Sequence, residues 1–344
     1  MDIQIINPID YPAWDDLLLS CSGYTFFHSS AWAKVLHESY HYTPIYFTVF
    51  DNGRLLALMP VMEINSFFTG RRGVSLPFTD YSEPIISNGI QFQDVIEHII
   101  EYGKNGGWRF LEIRSVNSLT PLTFPSLTYL RHTLDLSQNE DQIASKFRHS
   151  TKRNIKKAIK EGVKVNIFNS LESIKEFYKL NCITRKHHGL PPQPYRFFKK
   201  VYDHIICKEL GFVVFASFRD KPVAGAVYFH FGKKAVYKYG ASDMSFQYLR
   251  ANNLVMWEAI KWYCKNGYKS LCFGRTEPGN KGLIQFKSGW GTTEQPIHYY
   301  RYDLKKNVFI KSTLRLTGFY NKIFRNIPIP ILNKVGSILY RHVG

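Results

Sequence analysis

The chain lacks several things, and each absence narrows what it does. No apolar run among its 344 residues approaches the length that spans a bilayer, so no membrane-crossing helix is expected. It has no Cys-x-x-Cys pair. Its five cysteines, Cys21, Cys182, Cys207, Cys264 and Cys272, are odd in number and irregularly spaced. That excludes a disulfide framework and a zinc ribbon; reduced, buried thiols and no metal are expected. The start, MDIQIINPIDYPAW, has neither a basic n-region nor an apolar core, so no secretory leader is read and a cytoplasmic protein is expected. Acidic residues are scarce: 27 Asp and Glu stand against 45 Lys and Arg, a formal charge of +18. A field of that sign draws polyanions such as nucleic acid, nucleotide phosphates, CoA or an acidic membrane face. What is present is ordinary for a globular chain, with 44% hydrophobic residues. The length favours two domains over one core.

Residues 1–135 read as a first α/β unit. A short helix pattern runs from Trp32 to Tyr40. Thr43 to Phe50 and Leu55 to Glu63 form a strand pair about the Asp51-Asn52-Gly53 turn. A structured Gly/Pro loop, FTGRRGVSLPFTDYSEPI, then crowds together Arg71, Arg72, Asp80, Tyr81 and Glu83. A helix from Gln93 to Lys104 and a strand from Trp108 to Arg114 follow.

A second domain is expected over residues 136–304, opening on a basic helix from Gln142 to Gly162. Ile143, Phe147, Thr151, Ile155, Ala158 and Ile159 trace an apolar stripe. Lys146, Arg148, Lys152, Arg153, Lys156, Lys157 and Lys160 cover the rest with no acid among them, so the i,i+4 partners of a merely solvated helix are missing. That favours an anion-facing surface over a solvated one. His187 and His188 end the next helix and suggest bases or metal ligands; with no neighbouring ligands to complete a metal set, they read as polar cleft wall or surface. Residues 305–344, without Asp or Glu, mix Lys311, Arg315, Lys322, Arg325 and Lys334 with Phe309, Leu316, Phe319 and Ile323. This basic amphipathic tail either packs on the body or meets the inner face of an anionic membrane as a peripheral contact.

The stretch from Tyr237 to Gly291 organises the second domain. It reads as strand, polar loop, helix, strand and a glycine-rich loop carrying Arg275, Glu277 and Lys287. Met256, Ala259, Ile260, Tyr263 and Cys264 share one helical face, with Asn252 or Asn253 as cap and Gly267 as stop. Functional side chains of such units gather beyond a strand's carboxyl end, here FGRTEPG.

Four blocks in order carry a family likeness: FHSSAWAKV, SLPFTDYSEP, FRHSTKRNIKKAIKEGVKV and FGRTEPGNKGLIQFKSGWG. Together they resemble the Fem-type aminoacyltransferases and their relatives among the GNAT-like acyltransferases, over roughly residues 25–303. The resemblance implies an α/β fold of two tandem GNAT-like domains with a cleft between them. It implies transfer of an aminoacyl or acyl group, from aminoacyl-tRNA or acyl-CoA and without a resident cofactor, to an amine. The acceptor it implies is a peptidoglycan stem peptide or another envelope precursor. A phosphorylated or nucleotide-linked small substrate and tRNA are the partners, and a monomer is expected. Two departures stand out: no insertion forms the long helical arm of some Fem enzymes, and Leu36 stands where a second Lys is sought beside Lys34. FQYLRANN also lacks both glycines of an acetyl-CoA loop.

For such a transfer an amine must lose a proton, and Asp80, Asp243 and Glu277 are the candidate bases. Lys287 and Arg275 are candidates for the oxyanion or a phosphate, and Tyr81 and Tyr239 for a hydrogen bond. Trp32, Lys34, Arg71, Arg72, Arg148, Arg153, Tyr237 and Phe286 complete the candidate binding set. The structural alternatives are an Arg275–Glu277 pair across a turn and Asp80 capping its own loop. The competing readings of function are a CoA-dependent acyltransferase acting on another small amine and a non-catalytic protein binding anions or a membrane surface.

Overall fold

In a computed structural model, residues 2–117, 119, 123–311 and 318–344 are described. Arg315 and Leu316 of the tail lie outside them. The first elements in chain order are β1 (Gln4–Ile6), α1 (Trp14–Leu19), α2 (Ser30–Tyr40), β2 (Thr43–Asp51), β3 (Arg54–Ser66), β4 (Gly70–Val74), β5 (Ile85–Ile86), α3 (Phe92–Asn105) and β6 (Phe110–Ser115). Then come β7 (Leu127–Asp135), α4 (Glu140–Ser145), α5 (His149–Lys160), β8 (Lys164–Phe168), α6 (Leu171–His187), α7 (Tyr195–His204), β9 (Gly211–Phe218), β10 (Lys221–Phe231) and β11 (Lys234–Ser242). The last are α8 (Ala251–Lys265), β12 (Ser270–Thr276), α9 (Lys281–Ser288), β13 (Thr293–Asp303), β14 (Val308–Ile310), α10 (Gly318–Asn326) and α11 (Ile329–Leu339).

The chain divides into two compact units, one of Met1–Leu130, Pro296–Leu314 and Leu339–Gly344, the other of Arg131–Gln295 and Arg315–Ile338. This differs from a split at 135 and 304 followed by a separate tail. The reason is backbone pairing: His298 to Asp303 of β13 lie antiparallel to Phe110–Ser115 of β6, which draws this segment into the first unit. The tail does not stand apart either. Gly189 meets the backbone of Asn321 in α10, and Gly336 of α11 meets the carbonyl of Pro192, so closely that a Cβ at either glycine would lie about 2 Å from a backbone oxygen.

The first unit is a mixed sheet. β1 to β4 pair antiparallel in order, β4 runs parallel to β6, and β6 antiparallel to β13. Its core gathers Phe47, Met59, Val61, Val95, Ile99, Trp108 and Ile113. Alternation on β2 and the 3.6-residue spacing on α3 supply these inward faces. The second unit orders its strands β12-β11-β10-β9-β8, all antiparallel except the β11–β12 pair. Its core holds Ile143, Phe147, Ile155, Ala158, Tyr228, Leu254, Ala259, Ile260 and Tyr263.

Three local expectations change. The basic segment is two helices, broken at Phe147-Arg148, rather than one. Phe147 is buried 5.3 Å from the Trp257 ring and 5.0 Å from Trp290. Arg148 caps α5 with extended ψ while its N–H donates to the Gly289 carbonyl at 2.9 Å. The glycine-rich loop after Asn280 is helix α9, because the Asn280 carboxamide accepts from the Leu283 N–H at 3.1 Å. And α8 starts from Arg250, a non-glycine residue in left-handed conformation (φ 58°) that contributes no side-chain cap, rather than from Asn252 or Asn253. Of the cysteines, Cys182 and Cys272 are buried, whereas Cys207 is exposed.

Candidate functional site

A cavity of about 640 Å³ lies in the second unit. Ser150, Arg153 and Asn154 of α5 line one wall, Gln247 and Arg250 to Asn253 at the start of α8 another, and Gly282, Leu283, Gln285 and Phe286 of α9 a third. The ends of β10 and β11 contribute Val223, Ala224, Tyr237 and Gly240 to Asp243, and the end of α6 contributes Thr184 and His188.

Two features of the backbone bear on this space, whose lining takes Tyr237 and Gly240 to Ser242 from the part of β11 beyond its ladder with β12. The parallel ladder of β11 and β12 runs only from Lys234↔Ser270 to Val236↔Cys272. Both strands continue past it, to Ser242 and Thr276, without further pairing between them. At the N-terminus of α8, Arg250 supplies no side-chain cap; its carbonyl accepts from the Asn253 N–H at 2.9 Å, while Ala251 and Asn252 precede the first intrahelical donor. A helix start of this kind favours an anion, through its N–H groups and its dipole.

A bulge sorts the tyrosines. Between β10 and β11 the register slips, so that Val227 faces Tyr239 while Tyr228 faces Tyr237. The extra residue, Lys238, reverses the alternation of inward and outward side chains. Tyr237 therefore packs beside Tyr228 at 5.5 Å and reaches the cavity, whereas Tyr239 meets Phe197 edge-on and Phe198 at a tilt, both of α7, and does not line it. Gly240 gives Tyr237 its place: a Cβ there would lie 1.8 Å from the Tyr237 hydroxyl. Burial pushes the Tyr237 phenol up to about 12, so it keeps its proton at neutral pH.

Of the other sequence candidates, Arg153, Asp243 and Phe286 line the cavity. Asp243 is occupied: its Oδ1 accepts from the Ser245 Oγ at 2.6 Å and the Ser245 N–H at 3.1 Å, and Lys221 approaches Oδ2 at 3.6 Å. These hydrogen bonds hold its carboxyl below the usual range, which makes it a cap for the turn into α8 and a poor proton acceptor. Lys287 is 3% exposed and is absent from the cavity lining. Its ammonium donates to the carbonyls of Gly274 (3.0 Å) and Arg275 (3.1 Å), just beyond the point where β12 leaves its ladder with β11. Replacing it with Met is therefore expected to leave buried carbonyls unsatisfied and cost roughly 1–3 kcal/mol, read in a urea titration. Arg148, Arg275 and Glu277 are exposed and lie outside the lining.

The first-unit candidates serve structure. Trp32 is fully buried, with the Phe27 ring at 5.5 Å, and Lys34 is half-buried on the same helix. Arg71 pairs with Glu63 at 2.9 Å and donates to the Gly106 carbonyl. Arg72, 3% exposed, donates to the backbone oxygens of His342 (2.7 Å) and Gly344 (3.1 Å). The Tyr81 ring meets Phe27, and the Asp80 carbonyl accepts from the Tyr299 hydroxyl at 2.7 Å. Arg71 and Arg72 in particular direct their guanidinium groups to acceptors of the protein itself.

His188 emerges instead. Its sequence context is compatible with cleft wall or surface; its place at the end of α6 brings it to the lining, with Thr184 one turn earlier tied to Ser242 of β11 by reciprocal hydrogen bonds of 2.8 and 3.0 Å. The ring keeps an exposed edge. Partial desolvation, with the nearby His187, Arg185 and Arg325 charges, holds its pKa below the usual histidine value. It is thus a neutral proton acceptor at pH 7. Among the described residues no group of three metal-ligating side chains occurs, and no helix is long and apolar enough to cross a membrane.

Residues 145–288 match the acetyltransferase (GNAT) domain model. No curated protein matches the chain. Among solved structures, FemX covers 86% of this chain and 96% of its own length at TM-score 0.66 and 14% identity. A tandem GNAT protein from the clavulanic acid biosynthesis pathway covers 88% and 98% at 0.57 and 9%. L-PGS from Bacillus licheniformis covers 90% and 94% at 0.52 and 12%. Residues 145–288 of the second unit are thus similar to the acetyltransferase (GNAT) domain, and the chain shares the fold of FemX and of the tandem GNAT protein.

Proposed function

We propose that the chain is an N-acyltransferase whose second unit holds an activated acyl donor at the N-terminus of α8 and passes the acyl group to an amine. The observation that carries this reading is the cavity: an uncapped helix start, a strand pair that parts behind it, and Arg153 and Arg250 on its walls. These elements suit a phosphate-bearing ester or thioester, the class to which aminoacyl-tRNA and acyl-CoA both belong. The Fem-type sequence blocks favour an aminoacyl donor and an acceptor amine on a cell-envelope precursor, a peptidoglycan stem peptide or a polysaccharide-linked amine.

The chemistry runs through few groups. His188 takes a proton from the acceptor ammonium, and the freed amine attacks the acyl carbonyl. The C–N bond forms, the C–O or C–S bond to the donor breaks, the leaving oxygen or sulfur takes a proton, and the second proton of the attacking nitrogen restores the group that gave it. Tyr237 is the protonated group on the wall for the transfer to the leaving atom. Main-chain N–H groups along the parted β11–β12 edge are the natural partners for the oxyanion.

The test is a thermal-shift panel of CoA thioesters, charged tRNA and UDP-linked muropeptides. A donor at 100 times its Kd adds about 2.7 kcal/mol of stability, and this gain is expected to shrink in Arg153→Glu. If no phosphate-bearing donor stabilises the protein, the reading falls.

A further inference from the structure

The turn between β3 and β4 carries Phe67, 96% exposed, and Phe68, 67% exposed. Forming the turn does not require them: Thr69 donates its N–H to the Ser66 hydroxyl at 3.0 Å, and Gly70 takes the left-handed position at φ 80°. Two large rings held in water at a hairpin tip mark a contact surface rather than a fold requirement.

The tip is held firmly from behind. The Phe68 ring meets the His342 ring edge-on at 4.7 Å. The His342 Nδ1 lies 2.9 Å from the Ser66 hydroxyl, and the His342 carbonyl accepts from Thr69 Oγ1 (3.0 Å) and Arg72 Nη2 (2.7 Å). Val343, 58% exposed, follows in the chain.

The charge around the tip has one sign. Arg109 is exposed and donates to the Thr69 carbonyl at 3.3 Å, Arg341 is exposed beside His342, and Arg72 lies buried beneath. The one acid of the hairpin, Glu63, is 8% exposed and already taken by the Trp108 indole (2.6 Å) and Arg71.

We propose that this tip is an interfacial anchor for an anionic lipid bilayer. Phe67 and Phe68 enter the boundary between headgroups and acyl chains, where aromatic rings are favoured, while Arg109 and Arg341 meet lipid phosphates. A convex tip with uniform positive charge is complementary to a soft, negative surface. The inference does not depend on the donor assigned above, since every residue in it belongs to the first unit.

The experiment is co-sedimentation of the full chain with vesicles of phosphatidylglycerol and phosphatidylcholine in equal parts, against phosphatidylcholine alone. Wild type is expected to pellet with the anionic vesicles and to be released by salt. The F67S/F68S variant is expected to bind at least roughly tenfold more weakly, with only a small fall in thermal midpoint, because Phe67 is already in water and Phe68 gives up only its contact with His342. An R109E/R341E variant is expected to lose the preference for phosphatidylglycerol. Wild type left in the supernatant, equal binding by F67S/F68S, or equal affinity for both vesicle types would each overturn the proposal. So would a dimer that F67S/F68S dissolves in a protein that ignores vesicles, since the tip would then be a self-association site.

Discussion

Glu112→Ala is expected to lower the stability of the first unit by about 3–5 kcal/mol, the usual cost of leaving buried cations without their partner. Glu112 is 9% exposed and accepts from two guanidiniums. Arg114 reaches Oε1 with Nη2 (2.8 Å) and Nε (3.0 Å), and Arg301, directly opposite across the β6–β13 pair, reaches Oε2 at 2.7 Å. Burial alone would raise its pKa; the Arg114 and Arg301 charges outweigh that and bring it down to about 2. Arg114 also donates to the carbonyls of Leu76 (3.2 Å) and Thr79 (3.3 Å), in a loop where Leu76 and Phe78 hold positive φ. Removing the carboxylate therefore strands Arg114 and loosens the support of a strained loop. Hydrogen exchange of β6 and β13 amides reads the local effect. Arg301→Gln, which leaves Arg114 still paired, is expected to cost less. Because the folded pKa is depressed, the contribution of Glu112 is complete above the unfolded carboxyl value near 4.3 and drains away as pH falls toward 2. An acid titration of wild type against Glu112→Gln measures that window.

Periodicity made much of the fold legible. Met256, Ala259, Ile260 and Tyr263 face the core as their spacing requires, and the strand pair about Asn52-Gly53 is β2 and β3. The stripe Ile143, Phe147, Thr151, Ile155 and Ala158 is buried, while Ile159, one position beyond Ala158 around α5, is 58% exposed. Chemistry was less legible than pattern. Arg71, Arg72 and Lys287 have residue types that suit an anion site, yet each satisfies backbone oxygens or a buried acid of its own unit. Nothing local in the sequence distinguishes a guanidinium bound to a distant main-chain carbonyl from one waiting for a ligand. The bulge at Lys238 has no turn signal, so Tyr237 and Tyr239 read alike until the register separates them. Glu112 gained its meaning only from the strand pairing that sets Arg301 across from it, a contact 189 residues away in sequence. His187 and His188 read alike as possible bases, and only the fold places His188 in the cavity lining, near Thr184 and Arg325 from separate segments.

The activity prediction rests on that histidine. His188→Gln keeps a polar side chain of similar reach but cannot accept a proton, and the expected loss in kcat/KM is on the order of 10²- to 10³-fold. The pH profile separates a base from a positioning residue. Partial burial and the neighbouring His187, Arg185 and Arg325 charges lower the His188 pKa, so the neutral form persists below the ordinary value near 6.5. Wild-type kcat/KM should stay level as pH drops from 8 through 6.5 and fall only at lower pH. Salt should move that limb upward by screening the cations. In His188→Gln the acid limb attributable to this group should vanish, leaving a low and flatter profile. If the variant retains both the rate and the limb, proton removal belongs to another group on the cavity wall. Asp243 is the weaker replacement, because Ser245 and Lys221 hold it as a carboxylate and Asp243→Asn should perturb the turn into α8 more than the acid limb. Loss of rate in His188→Gln with the limb intact would make His188 a positioning residue for the end of α6, and a His188→Asn variant with the same profile would confirm that structural role.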